Sequence, residues 1–240
     1  MTTSKHTVSG FDTDLDSLKD NIVRMGEVVQ TAFAESINAL LSGDADAATF
    51  AIAHDETADE LERRVEEGAV QTIARRQPLA VDLRDIMAAV RIASDLERIG
   101  DLAKNIAKRA LALGDERPQQ DLASRIEKMA TLTRQQLGRV LTAYADRNAE
   151  LAIAIRDEDG EIDLLHTAFF KESIDTIARS HSDVAGITHL LFCAKNIERI
   201  GDHVTNISEN VYFIVTGSMP QQDRIKLDTS STIKSPPGTP

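Results

Sequence analysis

Two stretches of the chain decide its reading: ASDLERIGD at residues 93–101 and AKNIERIGD at residues 194–202. Five consecutive residues, ERIGD, are identical at an offset of 101, and Asn105-Ile106 and Asn206-Ile207 extend the match. Upstream, TIAR at 72–75 returns at 176–179, an offset of 104. The same offset pairs Asp55 with Asp159 and Asp59 with Asp163. The three-residue difference falls between the second and third helices of each unit, where insertions are tolerated, and Pro78 has no counterpart. Self-similarity of this kind marks a duplicated supersecondary unit.

Working outward, each unit reads as three helices. In the first, Leu15, Leu18, Ile22, Met25, Val29 and Phe33 follow helical spacing and end at Ser42-Gly43-Asp44, with Gly43 as the C′ residue and Asp44 as the next N-cap. A second helix runs to about Arg76, and Gln77-Pro78 breaks it, because proline disfavours helix at the residue before it. A third ends at Gly114. Pro118 opens a fourth helix to about Tyr144, a fifth covers about 149–179, and a sixth runs from about Asp183 to Val215, before Gly217. The expected fold is therefore all-α: two pseudo-symmetric three-helix bundles in tandem, at residues 11–114 and 115–217. Residues 1–10 read as a flexible N-terminus. Residues 218–240, which are polar and hold Pro220, Pro236, Pro237 and Pro240, read as a disordered tail.

Composition limits the function classes. The 240 residues hold 39 Asp and Glu against 27 Lys and Arg, a formal charge of −12, which argues against nucleic acid, where a basic footprint is expected. A single cysteine excludes a disulfide framework and a cysteine-rich zinc module, and Cys193 falls on an apolar stripe as a core residue. No apolar run spans a bilayer and no signal peptide is recognisable, so a cytoplasmic protein without membrane insertion is expected.

The repeated acids are the chemical signal. Glu97 and Asp101, Glu198 and Asp202, Asp55 and Asp59, and Asp159 and Asp163 are each spaced i, i+4, so each pair lies on one side of its helix. At 100° per residue, Glu97 and Asp101 lie roughly 150° from the apolar stripe of Ile92, Leu96, Ile99, Ala103 and Ile106; Asp55 and Asp59 lie roughly 105° from theirs. The acids therefore sit off the core side, and antiparallel packing of the second and third helices would bring the pairs together at the surface. Two readings stand. One is a solvated acidic face balanced by Arg98, Lys104 and Arg199. The other is a cation site, where oxygen-only ligands suit Mg²⁺, Mn²⁺, Ca²⁺ or iron. Gly100 and Gly201 cost about 1 kcal/mol each in mid-helix, so close approach of another group is expected there. A ferritin-like di-iron site wants two Glu-x-x-His motifs, and the nearest approach is a lone Asp163-x-x-His166. Phosphate-loop, nucleophile-elbow and zinc-protease motifs are absent, so catalysis is not expected. His203 reads as a partly buried polar residue beside the acidic motif.

These strings resemble the PhoU family, the accessory and regulatory proteins of high-affinity phosphate transport. The resemblance spans about residues 10–217: the opening helix at 11–26, ARRQP at 74–78 with DLR at 82–84, and the two signatures DLERIGD at 95–101 and NIERIGDHVTNI at 196–207. It implies two three-helix bundles, usually in a homodimer, with metal held at the acidic signatures as iron, zinc, manganese or magnesium. Carried over, Glu97, Asp101, Asp55 and Asp59 form one site, and Glu198, Asp202, Asp159 and Asp163 form the other. Asn196 in place of an acid at Asp95, and Gly160 beside Asp159, depart from the first repeat and predict an unequal second site. The implied role is an adaptor that joins the ATPase of the phosphate ABC transporter to a sensor histidine kinase, holds the phosphate-starvation response off and restrains uptake. It would associate with membrane complexes only through those partners. A metal store or carboxylate-metal enzyme is the alternative, and a metal-free helical scaffold a third reading.

Overall fold

The computed structural model describes residues 4–114, 117–179, 184–221 and 226–233. The first unit holds α1 (Ser4–Ser42), α2 (Ala45–Arg76) and α3 (Ala80–Leu113). The second holds α4 (Gln120–Ala145), α5 (Ala149–Glu158), α6 (Gly160–Arg179) and α7 (Val184–Thr216). No strand occurs among the described residues. The expected breaks fall where the turn chemistry places them. Gly43, Gly114 and Gly217 all have positive φ, of 71°, 58° and 83°. The Asp44 carboxylate accepts from the backbone N–H groups of Asp46 and Ala47 as an N-cap. Asn148 caps α5 in the same way, accepting from Leu151 N–H.

Three boundaries differ from the sequence reading. α1 begins at Ser4, so the flexible N-terminus expected over residues 1–10 is helical from that point, while residues 1–3 lie outside the described residues. The fifth predicted helix is interrupted at Asp159, whose N–H reaches the i−3 carbonyl of Arg156, a tighter turn that the following Gly160 permits. The third difference is the tail. Residues 226–233 lie against α6 and α7 and include a 3₁₀ turn at Ser230–Thr232, rather than being disordered; residues 222–225 and 234–240 lie outside the described residues. Nothing in that segment's composition signals this, because the contacts that dock it on α6 and α7 are long-range.

α1, α2 and α3 pack on one another around Ile22, Met25, Val29, Phe33, Leu61, Val65, Ile92, Leu96 and Ile99, all buried. α4, α5 and α6 pack on α7 around Ile126, Met129, Leu137, Ile155, Phe169, Ile197 and Ile200. The alternating three- and four-residue steps of α3 and α7 place a full apolar stripe inward. The two bundles join through α3 against α7 and α1 against α4. Across the first joint, His203 Nδ1 donates to Asp95 Oδ1 at 2.9 Å and Asn206 Nδ2 donates to the same oxygen at 3.1 Å. The residues in which the two signatures differ thus tie the bundles together: Asp95 against Asn196, and His203 against Leu102. Cys193 is buried in this core, and burial pushes its thiol up to about 12, the environment of a packing residue rather than a nucleophile.

Candidate functional site

In the first bundle, packing of α2 on α3 sets Asp55 and Asp59 beside Glu97 and Asp101. The lysine one turn further along α3 takes the place of a cation: Lys104 Nζ is 2.6 Å from both Asp55 Oδ2 and Asp101 Oδ1. Burial opposes the charge of Lys104, but the hydrogen bonds to Asp101 and Asp55 outweigh it and raise its pKa. Arg98 lies 3.4 Å from Glu97 and 3.9 Å from Asp101. Two of the balancing cations expected from sequence, Arg98 and Lys104, are therefore in place. They do not balance the set fully. Burial, then the Asp55 charge, raises the Asp59 carboxyl; burial, offset by Arg98 and reinforced by Asp101, raises Glu97. Glu62 belongs to the same set, one turn beyond Asp59, and accepts a hydrogen bond from Ser94; burial and the Glu66 charge raise it. The sequence reading missed Glu62, although its spacing of three from Asp59 was there to be used.

The second set is placed differently. Asp159, Asp163 and Glu198 are 2%, 1% and 3% exposed, so the expectation of a surface site fails for this bundle. Two features bury it. His166, at the position equivalent to Glu62, is buried beside the acids, and the tail segment lies across them. Lys195 Nζ, equivalent in position to Ser94, is 2.8 Å from Glu198 Oε2 and 3.1 Å from Asp228 Oδ2. Lys226 Nζ is 3.2 Å from Asp202 Oδ2, and Leu227 N–H donates to Asp163 Oδ2 at 2.7 Å. Burial, helped by the Asp202 charge and opposed by Lys195, raises the Glu198 carboxyl. Burial works against ionisation of Asp228, yet hydrogen bonds from Ser230 and Lys195 outweigh it and hold its carboxyl well below the usual range. Lys195 carried a sequence signal, a new cation within the repeated motif; Lys226 and Asp228 carried none.

The two signature glycines also differ. A Cβ on Gly201 would lie 3.1 Å from Ile162 Cδ1 and 3.3 Å from Asp159 Oδ1, a tight approach that those side chains would have to relieve by a few tenths of an ångström. A Cβ on Gly100 would meet nothing closer than 3.7 Å, from Ala58 and Val29, an ordinary contact. The difference follows from the repeat, since Ile162 stands where the first bundle has Ala58.

In donor chemistry both sets suit a hard cation. Among the described residues, however, no three His, Cys, Asp or Glu side chains are grouped as a ready-made metal site, and the carboxylates are engaged by lysines instead. Metal and ammonium would compete for the same oxygens.

Fold and sites together define a class: tandem three-helix bundles, each with a carboxylate set across two of its helices. The PhoU domain model matches residues 22–110 and again 126–211, one match per bundle. The chain belongs to the PhoU family. It is 45% identical over 230 residues to the phosphate-specific transport system accessory protein PhoU homolog of Rhizobium meliloti (strain 1021), covering 96% of this chain and 97% of the relative. The corresponding homolog of Caulobacter vibrioides (strain NA1000 / CB15N) is 40% identical over 228 residues, covering 95% and 99%. Among solved structures, PhoU from Pseudomonas aeruginosa superposes with a TM-score of 0.84 at 28% identity, covering 87% of this chain and all of that one. The phosphate transport system regulatory protein PhoU from Streptococcus pneumoniae superposes at 0.80 and 27% identity, covering 88% and 100%.

Proposed function

We propose that the chain is a non-catalytic adaptor of a phosphate-specific transport system. It holds the phosphate-starvation response off when phosphate is plentiful, coupling the phosphate ABC transporter to a sensor histidine kinase and restraining uptake through the transporter's ATPase. The observation that carries this reading is the family match in both bundles, over the stretches that hold the two ERIGD signatures. The names of the relatives, accessory proteins of phosphate-specific transport, support it. So does the absence, among the described residues, of a helix long and apolar enough to cross a membrane, since an adaptor meets membrane complexes through partner proteins. Long helices offer extended faces to two partners, and two acidic sets offer charge that a basic partner surface can read. A homodimer located in the cytoplasm fits the same role.

The second part of the reading is cation binding. Asp55, Asp59, Glu97 and Asp101 would hold one ion, and Asp159, Asp163, Glu198 and Asp202 the other, of magnesium, manganese, zinc or iron type. The raised carboxyls of Asp59, Glu97 and Glu198 support it: burial raises each of them first and neighbouring carboxylates add to it, so these acids are held where a neutralising ion would be favoured. A bound ion would supply charge neutralisation rather than chemistry. The protein's own part is to hold the acids on facing helices and to release Lys104 from Asp55 and Asp101.

The adaptor reading is tested by affinity capture with the tagged full chain, against the sensor kinase and the transporter ATPase of the same cell, in high phosphate. Recovery of both is expected. Recovery of neither, with the protein folded by circular dichroism, contradicts the reading.

A further inference from the structure

Each bundle holds a lysine of its own signature helix against its acids, Lys104 in the first and Lys195 in the second, and the second adds a further lysine from outside the repeat. In the first, Lys104 on α3 sits between Asp55 and Asp101. Its equivalent in the second bundle is Thr205, a buried residue without charge. The missing ammonium returns from outside the repeat, as Lys226 on Asp202.

The rest of the docked segment uses other positions at which the second bundle departs from the first. Glu56 is replaced by Gly160, and the Leu227 side chain packs so closely there that a Cβ on Gly160 would lie 2.8 Å from Leu227 Cδ1. Arg63 is replaced by Thr167, whose hydroxyl donates to Asp228 Oδ1 at 3.1 Å and accepts from Thr229 N–H at 3.1 Å. Ser94 is replaced by Lys195, which reaches Asp228 Oδ2 at 3.1 Å. His166, in place of Glu62, faces Asp228 at 3.3 Å. Seat, anchor and counter-ion are thus all specific to the second bundle, and all serve one short segment.

We propose that residues 226–230 form a detachable strap that closes the second carboxylate set as an internal counter-ion, so that an external divalent cation enters this set only when the strap leaves. The strap contributes a lysine ammonium to Asp202 and a backbone N–H to Asp163, two of the oxygens a cation would need. Strap and cation are therefore mutually exclusive on the same carboxylates, whereas in the first bundle the competing lysine moves only within its own helix. The two sets then fill at different cation concentrations, the strapped one last. This inference rests on the cation reading above.

The test uses Mn²⁺ alone as the probe, followed by paramagnetic resonance of the free ion, on the full chain and on the full chain carrying Lys226→Ala and Asp228→Ala. The strap variant is expected to bind one ion per chain at least about tenfold more tightly than the parent, because the competent state is no longer a minor population. Adding Asp163→Asn and Asp202→Asn is expected to abolish that gain. Amide exchange gives an independent reading: Leu227 and Thr229 N–H are protected in the parent without Mn²⁺ and lose protection at saturation, by reciprocity of coupled binding. Binding at the first set alone, unchanged by the strap substitutions, overturns the strap and leaves the cation reading standing. Protection of Leu227 and Thr229 that is indifferent to bound Mn²⁺ also overturns it. No Mn²⁺ bound by any form overturns both readings.

Discussion

Glu97 sits half-buried beside Asp101, Asp59 and Glu62, with Arg98 as partial compensation. Its proton affinity is therefore raised above the ordinary glutamate value of 4.5. A carboxyl raised in the folded state binds more protons folded than unfolded between those two values, so stability falls as pH rises through that window and stays lower at neutrality. Replacing Glu97 by Gln removes the term. In chelator, Glu97→Gln is expected to melt above the parent at pH 7, with the difference closing below about pH 4. A variant less stable than the parent at pH 7, or a difference that does not change with pH, contradicts the electrostatic account. The acid pairs were legible from their spacing and from their recurrence in both repeats. Their depth was not. Helical angles placed Glu97 and Glu198 alike, away from the core stripe, yet Glu198 is buried and Glu97 is not, because what covers Glu198 comes from elsewhere in the chain.

At the scale of elements, helix ends were read well because their chemistry is local. Asp44 caps α2 through its own carboxylate, and Gly43, Gly114 and Gly217 take the positive φ that glycine allows at a helix end. What sequence reasoning could not supply was the partner of each glycine inside α3 and α7. The same ERIGD string is crowded at Gly201, by Ile162 and Asp159, and has room at Gly100, where Ala58 stands opposite. Gly100→Ala is therefore expected to stabilise the chain by up to about 1 kcal/mol, the helix-propensity gain of alanine over glycine. Gly201→Ala is expected to recover less than that, because Ile162 must shift. Urea unfolding of the two variants decides the matter, and a larger gain at Gly201 than at Gly100 contradicts the packing described. The tail was unreadable for the opposite reason to the caps. Its docking depends on Gly160, Thr167 and Lys195, residues thirty or more positions away, and its own composition carries only a loop signal.

At the scale of the molecule, duplication explains both the symmetry and its failures. Two copies of one three-helix unit give two carboxylate sets, and the joint between them uses two positions where the copies diverge, Asp95 accepting from His203, with the shared Asn206 donating to the same oxygen. Each set keeps a lysine on its own helix, and the second adds one from beyond the repeat, so two copies of one acidic set now differ in burial and in how they are neutralised. The formal charge of −12 is in part these two sets, and bound cations would reduce it. Such a protein has charge patches and long faces to offer partners, which is what a link between a transporter and a sensor requires. That role is tested most directly by deleting the gene and following a phosphate-starvation promoter in high phosphate. The account predicts that the promoter stays on in the deletion strain and is silenced again when the full chain is restored. Normal repression in the deletion strain would contradict it.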